Sequence, residues 1–347
     1  MSSRHHVYQG YRTRTPSNTL DEQADLDELC AQRQLRTSEI FTPNAYYGAD
    51  QILKSYAALP PHYRLKIAMP HGVELDGTDY SSFGRREPVP ILTYNTEARR
   101  RFLDNRGARR LSPMASPYLY LLEMQKRITP ATRSGTIFFP SHSAAGHRVL
   151  ADFKTMAERL IELPRSEQPV SICLYFQDYL NGSGRHFSDL GMPVYSAGHP
   201  YDPLFLLRLH HLCVLHKYAM SSDFGSAPIY AMASGCTYSY LDFGEPEWEE
   251  ELTGSVWRLP DAYREMSKKL AGISAILPSD QHQIALAYLG GRYLKSPPQL
   301  RNWLYRAELA DWTDIRAHSR WGISVPTRWR RAIRGRFFQF RGLQEGQ

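Results

Sequence analysis

Four short stretches of this 347-residue chain carry side chains able to do chemistry, each bunched just after an apolar run. In PHGVELDGTDY, 70–80, His71, Glu74, Asp76 and Asp79 stand around Gly72 and Gly77. A carboxylate or imidazole in such a loop can accept the proton of a substrate hydroxyl, the work of a general base. The same acids also serve as turn residues that hold their own backbone. In PSHSAAGHR, 140–148, Ser141, His142 and Ser143 precede Gly146 and an expected helix. Hydroxyls, an imidazole and free N–H groups at a helix start suit an anion, and a serine there can equally be a simple N-cap.

The third stretch, SAGHPYDP at 196–203, sets His199 before Pro200, and proline confines the residue before it, so the imidazole is directed rather than free. The fourth, SSDFGSAPIYAMASG at 221–235, gives Ser221 and Ser222, then Gly225 for close backbone approach, then Ser226 as the expected N-cap with Pro228 in the first turn. A helix starting there offers N–H groups and the positive end of its dipole to a phosphate. No Walker lysine and no GxGxxG are present, which excludes a P-loop ATPase and an ordinary dinucleotide site.

The elements that must position these loops alternate. RLKIAM (64–69) and VPILTY (89–94) read as strands, with a helix over 48–58 before them and a capped helix, NTEARRRFLDNRG, after them. TIFFP (136–140), PVSICLYF (169–176), MPVYSAG (192–198), KYAMS and CTYSYLDF continue the strands, with helices expected at about 148–162, at 203–216 and from Ser226. This spacing indicates an α/β doubly wound sheet, mainly parallel, in which ligands bind beyond the carboxyl ends of the strands. The helix at 203–216 is apolar nearly all round and reads as a buried crossover. His210, His211 and His216 do not share one of its faces, so they read as structural and no metal site is expected. Past 245 the acidic loop GEPEWEEE leads into helices without a clear strand.

The division expected is a polar segment over 1–40, an α/β domain over 41–130, a second over 131–300 and a helical basic tail over 301–347. Composition fits a globular chain, with 42% hydrophobic and 22% charged residues. Cys30, Cys173, Cys213 and Cys236 are too scattered for a disulfide framework or a zinc knuckle, and a reducing cytoplasm fits them. No run has the length of a signal-peptide core or a membrane span. The net charge of +7 favours an anionic partner. Part of it is concentrated in RWRRAIRGRFFQFR, 328–341, which reads as a solvated tail or as an amphipathic helix on an anionic membrane surface.

Taken together, the four loops resemble those of two-domain GT-B glycosyltransferases, in particular bacterial sialyltransferases, polysialyltransferases and related capsule or lipopolysaccharide transferases that use CMP-activated sugars. Those families carry an acidic pair followed by glycine, then an HP pair, then a Ser/Thr pair. Here Glu74-Leu75-Asp76-Gly77 approximates the first, interrupted by a leucine, while His199-Pro200 and Ser221-Ser222 match the others in order. The resemblance covers roughly 60–245. It implies two Rossmann-like domains facing across a cleft and an inverting, metal-independent transfer needing no cofactor. The base would be Asp76, with Glu74 and His71 as the other candidates. The nucleotide would lie on His199, Pro200, Ser221, Ser222, Gly225 and Ser226, with Ser141, His142 and Ser143 alongside. The implied partners are a nucleotide-sugar, CMP-linked by preference, and a glycan or glycolipid acceptor. The chain would be cytoplasmic, docked on the inner membrane face through 328–341. A UDP- or GDP-sugar donor is the alternative within the fold. A basic nucleic-acid-binding or scaffold protein is the alternative of another class; no nucleic-acid partner is expected, because the basic cluster is terminal while the polar loops gather at strand ends.

Overall fold

Short apolar runs rich in Val, Ile, Phe and Tyr pair side by side where the sequence alternation places them. The computed structural model describes residues 2–70, 72–73, 91–94, 111–128, 132–144, 146–223, 225–244, 246–251, 253–258 and 261–313, and structural statements below concern these. Strand β1 (Ile91–Thr93) pairs in parallel with β2 (Leu111–Pro113), and Leu92 N–H donates to Ala68 O at 2.8 Å, so RLKIAM lies beside them through a single bridge rather than as a full strand. The main sheet is built from β3 (Thr136–Phe139), β5 (Val170–Leu174), β6 (Val194–Ser196), β7 (Tyr218–Ser221) and β8 (Thr237–Tyr240), all parallel, in the order β6-β5-β3-β7-β8. Its first strand is central and the order reverses between β3 and β7, as in a doubly wound sheet.

Successive side chains of a strand point to opposite faces. Ile137, Phe139, Cys173 and Ala219 accordingly join one apolar cluster, which runs from Tyr11 to Ala307. Phe138, Ile172, Leu174 and Met220 join a second, closed by Phe153, Leu160, Phe187 and Trp248. The apolar stretch at 203–216 is the helix Phe205–Leu215, buried from Leu206 to Cys213 with Arg208, His210 and His211 included, as expected of a crossover.

Two expectations are corrected. The helix anticipated from 148 starts at Phe153, where Asp152 Oδ1 accepts from Thr155 N at 3.0 Å; before it His147–Leu150 forms strand β4. Only Val149 of that strand is buried, a two-residue alternation that continuous apolar runs elsewhere concealed. The acidic stretch after 244 is strand β9 (Glu247–Glu250), with Trp248 buried between acids, and it pairs antiparallel with β4 and with β10 (Val256–Arg258). The polar first forty residues carry helices α1 (Ser2–Thr13), α2 (Pro16–Glu22) and α3 (Leu26–Cys30), of which α3 packs beside β6. Gln23 Oε1 accepts from Ser196 N at 2.8 Å, Leu29 O accepts from His199 N at 3.1 Å, and Glu22 pairs with Arg208 at 2.5 Å. Among the described residues no helix is long and apolar enough to cross a membrane.

Candidate functional site

The reversal between β3 and β7 opens the carboxyl edge of the sheet, and the loops leaving those two strands meet there. Ser222 Oγ accepts from Ser141 N at 2.9 Å and lies 3.1 Å from Ser141 Oγ, so the two hydroxyls share a hydrogen bond. Ser221 ends β7 with its hydroxyl held between Tyr238 OH (2.8 Å) and Asp223 O (2.9 Å). All three serines are buried.

A helix, Ser226–Ala233, starts four residues beyond Ser222. Its N-cap is Gly225, with extended backbone and, among the described residues, no side-chain cap on the N–H groups of the first turn. A Cβ at Gly225 would meet open space. Ser226 is the first helical residue rather than the expected cap, and its Oγ accepts from Val73 N at 2.8 Å. Tyr230, one turn on, also bonds Ser226. Val73 is thereby held at the start of this helix. His71, Glu74 and Asp76 lie outside the described residues.

The loop after β3 leads into β4 and not into a helix, so Ser141, His142 and Ser143 have no helix start of their own. Ser143 is committed instead to a residue the sequence reading missed. Asp178 accepts from Ser143 N at 3.0 Å and from Ser143 Oγ at 2.6 Å, and Ser143 Oγ in turn accepts from Val149 N at 3.1 Å. Burial raises the Asp178 carboxyl above its ordinary value, with the Ser143 hydroxyl and the nearby His142 opposing the rise. Asp178 also lines a cavity of about 460 Å³ with Arg148, Asp152, Asn181 and His186. His142 bonds the Ser143 carbonyl through Nδ1 (2.7 Å) and lies against Tyr175 at 4.8 Å.

His199-Pro200 lies elsewhere along the same edge. Its strand, β6, is separated from β7 by β5 and β3, about 14 Å at ordinary interstrand spacing. One phosphate therefore does not bridge the HP and SS pairs directly, although β6 and β7 follow one another in sequence. His199 is buried; its Nδ1 accepts from Tyr201 N at 3.1 Å, which leaves the neutral ring's proton on Nε2. Burial, reinforced by Arg33, holds its pKa below the usual value. A row of rings spans the gap: His142 on Tyr175, Tyr175 on Phe176 (4.8 Å), Phe176 on His199 (4.3 Å), His199 on Tyr201 (4.7 Å).

Tyr47, also missed, faces this row from another element. It bonds the Tyr175 side chain and packs on Phe205 at 4.8 Å. Its φ of 60° is left-handed, which costs a non-glycine residue about 1–3 kcal/mol and is common at ligand-contacting positions. Tyr47 N donates to Pro200 O at 2.6 Å, and at Gly48 a Cβ would stand 1.9 Å from Pro203 O, so the turn fits its neighbour only with glycine there.

Among the described residues no group of His, Cys, Asp and Glu could hold a metal ion. The Asp-x-Asp spacing at Asp25-Leu26-Asp27 is structural: Asp25 caps α3 by accepting from Glu28 N at 2.9 Å, and Asp27 accepts from Tyr179 OH at 2.8 Å.

No protein-family model and no curated protein sequence matches the chain. Among the solved structures similar to the chain, two match at low scores. One is a mutant of S. aureus TarM in complex with fondaparinux, alpha-GlcNAc-glycerol and UDP, at 9% identity and a TM-score of 0.33, covering 77% of this chain and 54% of that one. The other is TarM, at 10% identity and a TM-score of 0.29, covering 77% and 53%. The chain spans about half the length of these proteins.

Proposed function

We propose that the chain is a glycosyltransferase of the GT-B kind, in which domains over 41–130 and 131–300 enclose a nucleotide-sugar at the carboxyl edge of the main sheet. One observation carries the reading: Val73, three residues past Pro70, and the loops after β3 and β7 come together, through Val73–Ser226 and Ser141–Ser222, at a helix start with no side-chain cap among the described residues. A base from the first loop, Asp76 with Glu74 and His71 as the other candidates, takes the proton of the acceptor hydroxyl, which attacks the anomeric carbon with inversion. The nucleotide phosphate leaves, and its charge is met by the N–H groups after Gly225 and by the hydroxyls of Ser141 and Ser222. His199 and Pro200, farther along the edge, hold the nucleoside side of the donor rather than that phosphate. The sequence resemblance gives CMP as the nucleotide, and a panel of CMP-, UDP- and GDP-sugars decides among the donors.

The test is transfer to a glycan acceptor by the purified chain. Asp76→Ala should keep nucleotide binding and lose transfer, whereas unaltered turnover removes the base assignment. An absence of transfer or donor hydrolysis across the panel, together with salt-sensitive retardation of nucleic acid, would favour a nucleic-acid-binding protein instead. The basic stretch 328–341, outside the described residues, is proposed to dock the enzyme on the inner membrane face. Removing 326–347 should abolish binding to anionic liposomes.

A further inference from the structure

The parallel sheet has a second end. Arg133, His216 and Ser234 stand just before β3, β7 and β8, opposite Ser141 and Ser222, and a cavity of about 740 Å³ opens there. Its size is that of sites for small organic ligands. The helix Ser226–Ala233 separates the two ends, and its eight residues measure about 12 Å, so one small ligand does not fill both sites.

The cavity wall is of two kinds. Leu119, Leu122, Val214 and Leu286 supply apolar surface. Lys126, Arg133 and Arg292 bring three positive charges against one acid, Glu123, a net of two, and that acid pairs with Lys126 at 2.5 Å. Arg133 donates to the carbonyls of Ser234 and His216 and to Cys236 Sγ at 3.9 Å, and has no carboxylate partner among the described residues. Two histidines of the wall carry no charge. His210 bonds Ser234 Oγ at 3.0 Å, and His211 is held between Thr19 Oγ1 (2.8 Å) and Gln125 Oε1 (3.0 Å); burial keeps both rings neutral. His282 bonds Met232 O through Nδ1 at 3.0 Å.

A half-buried guanidinium beside apolar wall calls for an anion that brings its own apolar surface: the acid head compensates the charge, and the chain displaces water from the leucines. We propose that this cavity is a binding site for an amphipathic anion, an alkyl-type chain ending in phosphate or carboxylate. The head lies toward Arg133 and Lys126, and the chain lies along Leu119, Leu122 and Leu286. The site is separate from the carboxyl edge and does not depend on the glycosyltransferase reading.

Titration calorimetry of the full chain with octyl phosphate, octanoate, inorganic phosphate and octanol tests it. One equivalent of octyl phosphate or octanoate should bind saturably, with inorganic phosphate and octanol each at least tenfold weaker, and CMP or UDP should not compete. Ala287→Trp, at an exposed position on the rim, should weaken the amphiphile at least tenfold with unchanged thermal unfolding, and Gln283→Trp, a second exposed rim position, repeats the block should that variant not fold. Octanol binding as tightly as octyl phosphate would overturn anion recognition, and inorganic phosphate binding as tightly would overturn the apolar part. Displacement by nucleotide, or full affinity in a folded rim variant, would put the ligand elsewhere and overturn the proposal.

Discussion

Val73 N–H donates to Ser226 Oγ at 2.8 Å, joining residues 153 apart in sequence. The bond holds Val73 against the helix of the proposed phosphate site, and Gly72 makes the approach possible, since a Cβ there would stand 2.9 Å from the same oxygen. Ser226→Ala orphans a nearly buried amide, at a cost of about 1–3 kcal/mol. Urea unfolding should show that loss, transfer should fall at least tenfold, and Ser226→Thr should restore most of both. Wild-type stability and turnover in the alanine variant would mean that the contact positions nothing.

The Ser141–Ser222 pair is asymmetric. Ser222 Oγ serves both the amide and the hydroxyl of Ser141, whereas Ser141 Oγ serves only the hydroxyl. Ser222→Ala leaves a buried N–H without its acceptor and should cost about 1–3 kcal/mol; Ser141→Ala should cost about 1 kcal/mol. Unfolding of the two variants side by side checks the order, and the reverse order contradicts the geometry.

Asp178 holds the loop after β3 by accepting both donors of Ser143. Asp178→Ala should therefore loosen that loop and cost about 1–3 kcal/mol. Asp178→Asn keeps an acceptor and removes a carboxylate that burial already disfavours, so it should cost less. Melting curves of both variants read the difference; equal losses would assign the effect to the charge.

Neutral buried histidines give stability a pH dependence with a definite sign. His210 and His211 are pushed from 6.5 down to about 3 and about 4 by burial, with His211 and Arg133 adding to the shift at His210 and Arg14 at His211. As pH falls below 6.5 the unfolded chain protonates first, so stability drops toward pH 4 by up to about 1.4 kcal/mol per unit per histidine. Asp178 and Glu39, raised by burial, work the other way, because the folded state takes up their protons first. His211→Gln should flatten the curve between pH 4.5 and 6.5 relative to the wild type, and parallel curves would contradict the assignment.

Local order was legible in the sequence where burial is complete. β3, β5 and β7 are apolar on both faces and read as continuous runs, and Gly225 with Pro228 marked the helix beginning at Ser226. Neighbour relations were not legible: β6 and β7 adjoin in sequence, but the crossover carries the chain over two strands, so the HP and SS pairs part. Asp178 was hidden because LYF looked like the end of a strand, whereas a helix starts at Phe176. Tyr47 was hidden because a left-handed tyrosine has no sequence signature beyond the glycine after it. β4 and β9 carry charged side chains around a single buried residue each, too short a pattern to stand out from a loop.

The central claim, a nucleotide phosphate seated on the helix that begins at Ser226, is tested most directly by Gly225→Asp. The backbone at this N-cap is extended and a Cβ there meets open space, so aspartate fits without strain and caps the helix favourably. Its carboxylate then occupies and repels the position of the phosphate. Titration calorimetry with CMP, UDP and GDP, paired with thermal unfolding, should find a melting temperature equal to or above the wild type's and nucleotide affinity reduced at least tenfold, with Gly225→Ser, an uncharged cap, between the two. Undiminished nucleotide affinity in a folded Gly225→Asp protein would contradict the account.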